Sequence, residues 1–110
     1  QRQMCIRDSD IGRTGFTDYM VQMSIASDAG IKTTPHMGTG VSVFQAATLQ
    51  CAALASKDYL QEFQGGLSDM LREASDSGWQ YKEGGFTLPD RPGIGVEINE
   101  ELLEPFIVRH

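Results

Sequence analysis

The stretch Ala29-Gly30-Ile31-Lys32-Thr33-Thr34-Pro35-His36-Met37-Gly38-Thr39-Gly40 decides the fold. Gly30 suits the position just past a helix end, where φ is often positive. Ile31–Thr34 is a short β-prone run, and Pro35, with no N–H to donate, is expected to stop its ladder. His36 then stands between a strand end and a Gly-rich turn. Upstream, apolar residues at Phe16, Tyr19, Met20, Met23 and Ala26 fall on one helical face, so the spacing predicts a helix from Thr17 to Ala29, with Thr17 able to cap it. Downstream, the alanine-rich run Val41–Ala55 predicts a helix packed between neighbours, and Tyr59–Phe63 predicts a second short strand. Helix, strand, helix, strand at this spacing indicates an α/β chain of βα units with a parallel sheet.

The rest is more punctuated. Gly65-Gly66 breaks the pattern before a weaker helix around Ser68–Ala74. Gly84-Gly85 and Pro89-Asp90-Arg91-Pro92-Gly93 read as loop. Gly95–Ile98 is a possible strand, Asn99-Glu100-Glu101 reads as a helix cap with an acidic first turn, and Pro105 is expected to end that turn.

Composition narrows the function. The chain has 110 residues, 40% apolar and 22% charged, with 9 basic against 15 acidic residues and a net charge of −6. That balance argues against nucleic-acid and anionic-membrane partners, which need clustered Lys or Arg. The longest apolar stretch is interrupted by Gln45, Thr48 and Gln50, and falls short of the roughly 20 residues a bilayer span requires. The length allows one small domain, far below the ~250 residues of a closed (β/α) barrel.

The opening, Gln1-Arg2-Gln3-Met4-Cys5-Ile6-Arg7-Asp8-Ser9, has neither helical nor strand periodicity and lacks the parts of a secretory signal. Residues 1–9 resemble the translated end of a transposase-type sequencing adapter and are read as a non-native segment. On that reading Cys5 is not a native residue, Cys51 stands alone and no disulfide is implied. The coding sequence would have been cut at Asp10, making the chain the tail of a longer protein.

Five positions are candidates for chemistry. His36 lies where a parallel sheet presents its ligand-binding edge, and a His there can act as a general base near neutral pH; a loop hydrogen bond is the plainer alternative. Gly38 and Gly40 precede a helix, but Val43 occupies the third-glycine position of a dinucleotide fingerprint and no phosphate-loop Lys follows. Backbone clearance beside a site is the simpler role for these glycines. Glu62 alternates with Gln61 and Phe63, so it shares a side with Leu60 and could point into a barrel, while a strand-end Glu taken alone is more often a solvated edge residue. Asp10, taken alone, is a loop-like acid. Cys51, among alanines, reads as a small packing residue. Trp79 and Tyr81 suit the covering of a neighbouring element, and Asp90 with Glu97–Glu101 suits a solvated face.

Five stretches in order resemble the C-terminal part of the mandelate racemase/muconate lactonizing enzyme family of the enolase superfamily. They are Asp10-Ile-Gly-Arg-Thr-Gly-Phe-Thr17, Ala29–His36, Gly38-Thr-Gly40, Leu60-Gln-Glu-Phe-Gln64 and Pro89-Asp-Arg-Pro-Gly-Ile-Gly-Val96. The resemblance implies the C-terminal portion of a modified TIM barrel, (β/α)7β, truncated. Residues 10–88 would hold the end of the sixth strand through the eighth with their helices. Residues 89–110 would form a tail returning toward a capping domain. Asp10 would close the sixth strand, Ile31–His36 would be the seventh and Tyr59–Phe63 the eighth. The family usually has two adjacent glycines after the sixth strand, whereas here Phe16 follows Gly15.

By the same resemblance Asp10 and His36 form the dyad of the mandelate racemase branch, since the muconate branch would place a Lys at Asp10. His36 would move the proton next to a substrate carboxylate, with Asp10 orienting it. Glu62, if protonated by burial, would hydrogen-bond the substrate, and Gly38 and Thr39 would line its site. Mg²⁺ would neutralise the enediolate, its ligands lying upstream on the third to fifth strands, so this segment alone is expected to bind no metal and to be inactive. The implied whole is a cytoplasmic homo-oligomer acting on a sugar acid as a dehydratase, with a racemase or epimerase as the runner-up. A small α/β module binding an anion at the Gly38–Gly40 turn is the alternative from another class.

Overall fold

A computed structural model of the chain describes residues 7–38, 42–54, 60–64, 75–76 and 78–108. Two short parallel strands, β1 (Arg7–Ser9) and β2 (Thr33–Pro35), are joined by helix α1 (Ile11–Asp28). Helix α2 (Ser42–Ala52) follows β2. Arg7 pairs with Thr33, Asp8 with Thr34 and Ser9 with Pro35, so the unit is β-α-β-α with a parallel sheet. This βα arrangement agrees with the α/β class and the parallel strand pairing that the sequence indicates. The segment with no β-pattern thus supplies a strand. A ladder is made by backbone groups, and Thr33–Pro35 provides them.

The ladder does not stop where Pro35 was expected to stop it. His36 N–H donates to Ser9 O at 3.0 Å, one residue beyond the proline. In a parallel ladder both backbone polar groups of one residue point to the same side and adjacent residues point to opposite sides. His36 therefore faces β1, and Pro35 turns its carbonyl and its missing N–H away from β1, where the lack costs this pair nothing.

Helix α1 begins six residues earlier than its apolar spacing predicts, because Asp10 caps an additional turn through its own side chain. Gly15 (φ 76°, ψ 171°) breaks the helical path and marks the boundary that the spacing had placed near Thr17. The far end matches expectation. Gly30 adopts φ 67°, its N–H donates to Ser27 O at 2.9 Å, and Ile31 N–H reaches back to Ala26 O at 2.8 Å, which closes the last turn in a Schellman motif. The buried side of α1 carries Ile11, Tyr19 and Ala26, with Met23 partly buried, whereas Phe16 and Met20 are about half exposed.

Helix α2 is shorter than the predicted Val41–Ala55 among the described residues, and it is buried around most of its circumference, as its composition required. Ile11, Tyr19, Ala47 and Cys51 form the centre of the core, with Met23, Phe44 and Ile94 against it. The close contact has a sequence cause: a Cβ on Gly12 would come within 2.6 Å of the Phe44 ring, so only glycine lets the first turn of α1 lie on α2.

The expected strand Tyr59–Phe63 is not a strand over its described part. Tyr59 lies outside the described residues, and residues 60–64 run beside β2 without ladder pairing. Pro35 has no N–H to offer on that side. The expected helix Ser68–Ala74 lies outside the described residues.

The region read as loop around Gly84-Gly85 is a β-hairpin. Strands β4 (Gln80–Lys82) and β5 (Gly85–Thr87) pair antiparallel across Glu83 (φ 54°) and Gly84 (φ 80°), the positive-φ pair of a two-residue turn. Its aromatic residues pack on Phe63, whose ring centroid lies 5.4 Å from that of Trp79 and 4.9 Å from that of Phe86. Strand β3 (Ser75–Asp76) pairs with β6 (Glu97–Ile98). Beside it Arg91 Nη1 donates to Asp76 Oδ2 at 2.9 Å, and that guanidinium, with the Gly78 N–H, holds the Asp76 carboxyl below the usual carboxylate range. Asn99 caps α3 (Glu100–Leu103) as predicted, accepting from the N–H groups of Glu101 and Leu102. That helix ends at Leu103, ahead of Pro105, and Pro105 itself sits inside a 3-10 turn over Glu104–Phe106. No helix among the described residues is long and apolar enough to cross a membrane.

Burial acts on the chemistry of the core. The Cys51 thiol, 1% exposed, is pushed from 9.0 up to about 11 by desolvation. The Tyr19 hydroxyl, fully buried, is pushed up to about 12 by desolvation and then by the neighbouring Cys51. A pKa raised on folding means the folded state holds its proton more tightly. The stabilisation is therefore complete below pH 9.0 and is lost as pH rises through about 11. In a Cys5→Ser background, Cys51 in the folded chain at pH 8 should react with a disulfide reagent roughly a hundredfold more slowly than in denaturant, following its smaller thiolate fraction. Equal rates would show that the core is open. Gly30→Ala should lower stability by about 1 kcal/mol in urea unfolding, because alanine resists positive φ.

Candidate functional site

The site begins with the ends of β1 and β2. Parallel strands finish at the same edge, so the residues that follow them emerge side by side. Asp10 follows β1 and caps α1: its Oδ1 accepts the Gly12 N–H at 2.8 Å, which fixes the carboxylate and leaves Oδ2 facing the neighbouring strand end. There His36 Nδ1 lies 3.7 Å from Asp10 Oδ2. Arg13, one turn along α1, brings its Nε to 3.8 Å from the same oxygen, but its side chain is 85% exposed and water screens the pair. The Ser9 hydroxyl donates to Gln22 Oε1 and ties β1 to α1 beneath the site.

On the other side of the imidazole, His36 Nε2 lies 3.6 Å from Glu62 Oε2. Glu62 is itself held: Oε2 accepts the Met37 N–H at 3.4 Å and Oε1 accepts Gln64 Nε2 at 3.3 Å. One imidazole is thus bracketed by two carboxylates donated from two other chain segments. Both gaps exceed a normal hydrogen bond, and both are short enough for a modest side-chain movement to close. With the proton of a neutral imidazole on Nδ1 beside Asp10, Nε2 is the nitrogen able to take another. The charge then formed has an acid on each side to offset it.

Asp10, His36 and Glu62, three positions that the sequence singled out, therefore meet at one edge. Glu62 arrives by a different route from the one expected. Leu60 is 94% exposed, so it marks no apolar inward face, and the Glu62 side chain is 43% exposed among polar neighbours. The apolar surround expected to neutralise Glu62 is not formed by the described residues. Gly38 lies against the imidazole, where a Cβ would stand 3.4 Å from His36 Cε1, so its small size keeps that face clear. Thr39 and Gly40 lie outside the described residues. Cys51 belongs to the core, as its alanine-rich setting indicated. Trp79 and Tyr81 join Phe63 and Phe86 and take no part in the edge.

Sequence reasoning missed Arg13 and Gln61. The i, i+3 spacing from Asp10 could have shown Arg13. Gln61 had no local signal, since its partners, the carbonyls of Pro35 and Glu62, are backbone atoms. Among the described residues no group of three or more His, Cys, Asp or Glu converges in a way that could hold a metal ion. The Mg²⁺ that the resemblance implies would take its ligands from strands upstream of this segment, and no step at this edge is assigned to it.

Residues 3–102 match the family described as enolase C-terminal domain-like. The chain is 30% identical over 104 residues to D-galactarolactone cycloisomerase of Agrobacterium fabrum (strain C58), a match covering 86% of this chain and 27% of that enzyme. It is similar in structure to a protein from Sinorhizobium meliloti assigned as an isomerase, at TM-score 0.77 and 30% identity, covering 88% of this chain and 25% of that one. The open-loop form of the Sinorhizobium protein matches at the same TM-score and identity and is covered to 26%. The chain thus spans about a quarter of the length of these relatives.

The bracketed imidazole is directly checkable, because the chain has only two histidines, His36 and His110. In ¹⁵N spectra of the imidazoles, Asp10→Asn should move chiefly the Nδ1 resonance of His36, and Glu62→Gln chiefly its Nε2 resonance. Resonances unmoved by either change would mean that the two contacts are not made in solution.

Proposed function

The chain belongs to the enolase C-terminal domain-like family of mandelate racemase/muconate lactonizing enzymes, and from that membership we propose that it is the dyad-bearing end of an enzyme that moves the proton next to a carboxylate in a sugar-acid substrate. The observation that carries this reading is His36 held between Asp10 and Glu62 at 3.7 and 3.6 Å on one strand edge. Membership makes it part of an enzyme related to isomerases and cycloisomerases. The edge supports the branch in which an Asp–His pair works as the base, since Asp10 stands where the other branch would carry Lys.

In this reading His36 Nε2 takes the α-proton and can return it to the same carbon or a neighbouring one. Asp10, itself fixed by the Gly12 N–H, holds the Nδ1 proton in place and offsets the imidazolium charge, the role of an orienting carboxylate. Glu62 Oε2 lies 3.6 Å from Nε2 and accepts the Met37 N–H, so a modest movement would bring it to His36 or to a substrate oxygen. Members of this superfamily generally use Mg²⁺, which would supply positive charge beside the substrate carboxylate; its ligands would come from elsewhere in the full-length enzyme.

Dehydration, racemisation and cycloisomerisation share the first proton transfer and differ in what leaves or returns afterwards. The named cycloisomerase relative favours a sugar-acid substrate and an isomerase-type outcome. A dehydratase of the same branch is the second reading, supported by the Asp10–His36 pair. The full-length enzyme should incorporate deuterium from heavy water at the α-carbon of one member of a sugar-acid and lactone panel. Substrate lost with water would mark the dehydratase, and isomer formed without loss of water would mark the isomerase. His36→Asn should lower turnover by roughly a hundredfold or more, the scale of losing a general base. Unchanged turnover in His36→Asn, or no α-deuterium with any substrate, would overturn the assignment.

A further inference from the structure

We propose that Gln61 is the positioning residue that sets the distance between Glu62 and His36. The proposal rests on the functional reading only for its importance to the reaction; the placement itself is a separate claim. The segment 60–64 carries Glu62, yet it has no ladder pairing with β2. Its described polar links to the β2 end run through two side chains, Glu62 to the Met37 N–H and Gln61 to the chain just before His36.

The geometry of the second link is specific. Gln61 Nε2 donates to Pro35 O at 2.7 Å and to Glu62 O at 3.0 Å. An amide nitrogen has two protons, so both are used, and the two acceptors are the backbone carbonyls adjoining His36 and belonging to Glu62. The reverse orientation of the amide would set its oxygen against two carbonyl oxygens, so chemistry fixes which end is nitrogen. The remaining atom, Oε1, is buried without a hydrogen-bond partner among the described residues. An orphaned buried acceptor is a cost, and it is tolerated here alongside the two bonds made by the other end.

Pro35 explains why a side chain has to do this. Its carbonyl points away from β1 toward residues 60–64, but it has no N–H on that side, so the alternating donor and acceptor of an ordinary parallel rung cannot form there. Gln61 supplies a donor from its side chain and joins the two segments at the position where a rung is missing. Phe63, packed among Trp79, Tyr81 and Phe86, holds the same segment from its other face. Glu62 sits between these two anchors. Losing Gln61 should therefore free the Glu62 side of the imidazole while leaving the Asp10 side, which depends on β1 and the Gly12 N–H, as it was.

The test is a double-mutant cycle in the full-length enzyme, read on the ¹⁵N resonances of His36, which are identified by their loss in His36→Asn. Gln61→Met keeps the length and apolar stem and removes both donors. The groups facing the imidazole are Asp10 and Glu62, with Arg13 behind Asp10, and each is left in place or changed singly. The response of Nε2 to Glu62→Gln should fall by more than about half in the Gln61→Met background, the mark of coupled neighbours, while the response of Nδ1 to Asp10→Asn stays as in the parent. Gln61→Ala should give the same pattern, and Gln61→Met decides if the alanine variant disturbs the helices. A full Glu62 response retained in Gln61→Met would overturn the proposal. Loss of both responses together would also overturn it, because that describes a general structural role. The functional reading fails by a different result, the absence of α-deuterium exchange in the full-length enzyme.

Discussion

The hydrogen bond from His36 N–H to Ser9 O is the constraint on which the remaining structure depends. It is the last rung of a parallel ladder, and parallel strands end together. Had the two strands run antiparallel, Asp10 and His36 would leave the sheet at opposite edges, some three residues apart along each strand, at about 3.3 Å per residue. The same rung fixes the orientation of Pro35, whose carbonyl then faces the segment that carries Glu62. One backbone contact thus decides the neighbours on both sides of the imidazole.

The two faces of this small βα layer have opposite solvents, and that difference sorts the side chains. On the helix side Tyr19 and Cys51 lie in a core closed by Ile11 and Ala47, and desolvation raises both groups. On the strand-end side Asp10, His36 and Glu62 are each between about a quarter and a half exposed. Burial favours the protonated, neutral form of the two core groups, whereas the three edge groups are open to solvent. Gly12 serves both faces. Its lack of a Cβ lets α1 lie on Phe44, and its N–H fixes the carboxylate of Asp10.

Much of the fold was legible because it is local. Gly30 ends α1 through bonds to Ala26 and Ser27, and Asn99 starts α3 through bonds to Glu101 and Leu102, all within a few residues. The apolar composition of α2 needed no knowledge of its neighbours. What was misread had partners far along the chain or in the backbone. The hairpin was taken for loop because Gly84-Gly85 reads as punctuation when Phe63, the ring that its aromatics cover, is not known to be near. Tyr59–Phe63 has the alternation of a strand, but over its described part pairing needs a partner with a free donor, and Pro35 has none. Spacing alone puts Phe16 and Met20 on the buried face, yet both are nearly half exposed.

By itself the sequence determined the α/β class and the C-terminal end of the first helix, which follow from residue type and short-range spacing, while Asp10 and Glu62 were singled out through the family resemblance. It determined the family as well, through five motifs in order. Only the tertiary structure decided that Asp10 and Glu62 stand on opposite sides of one imidazole, that Glu62 is half in solvent, and that Gln61 ties its segment to Pro35. Those outcomes depend on contacts between positions 25 or more residues apart. Strand direction and a single missing N–H set them, and no local pattern records either.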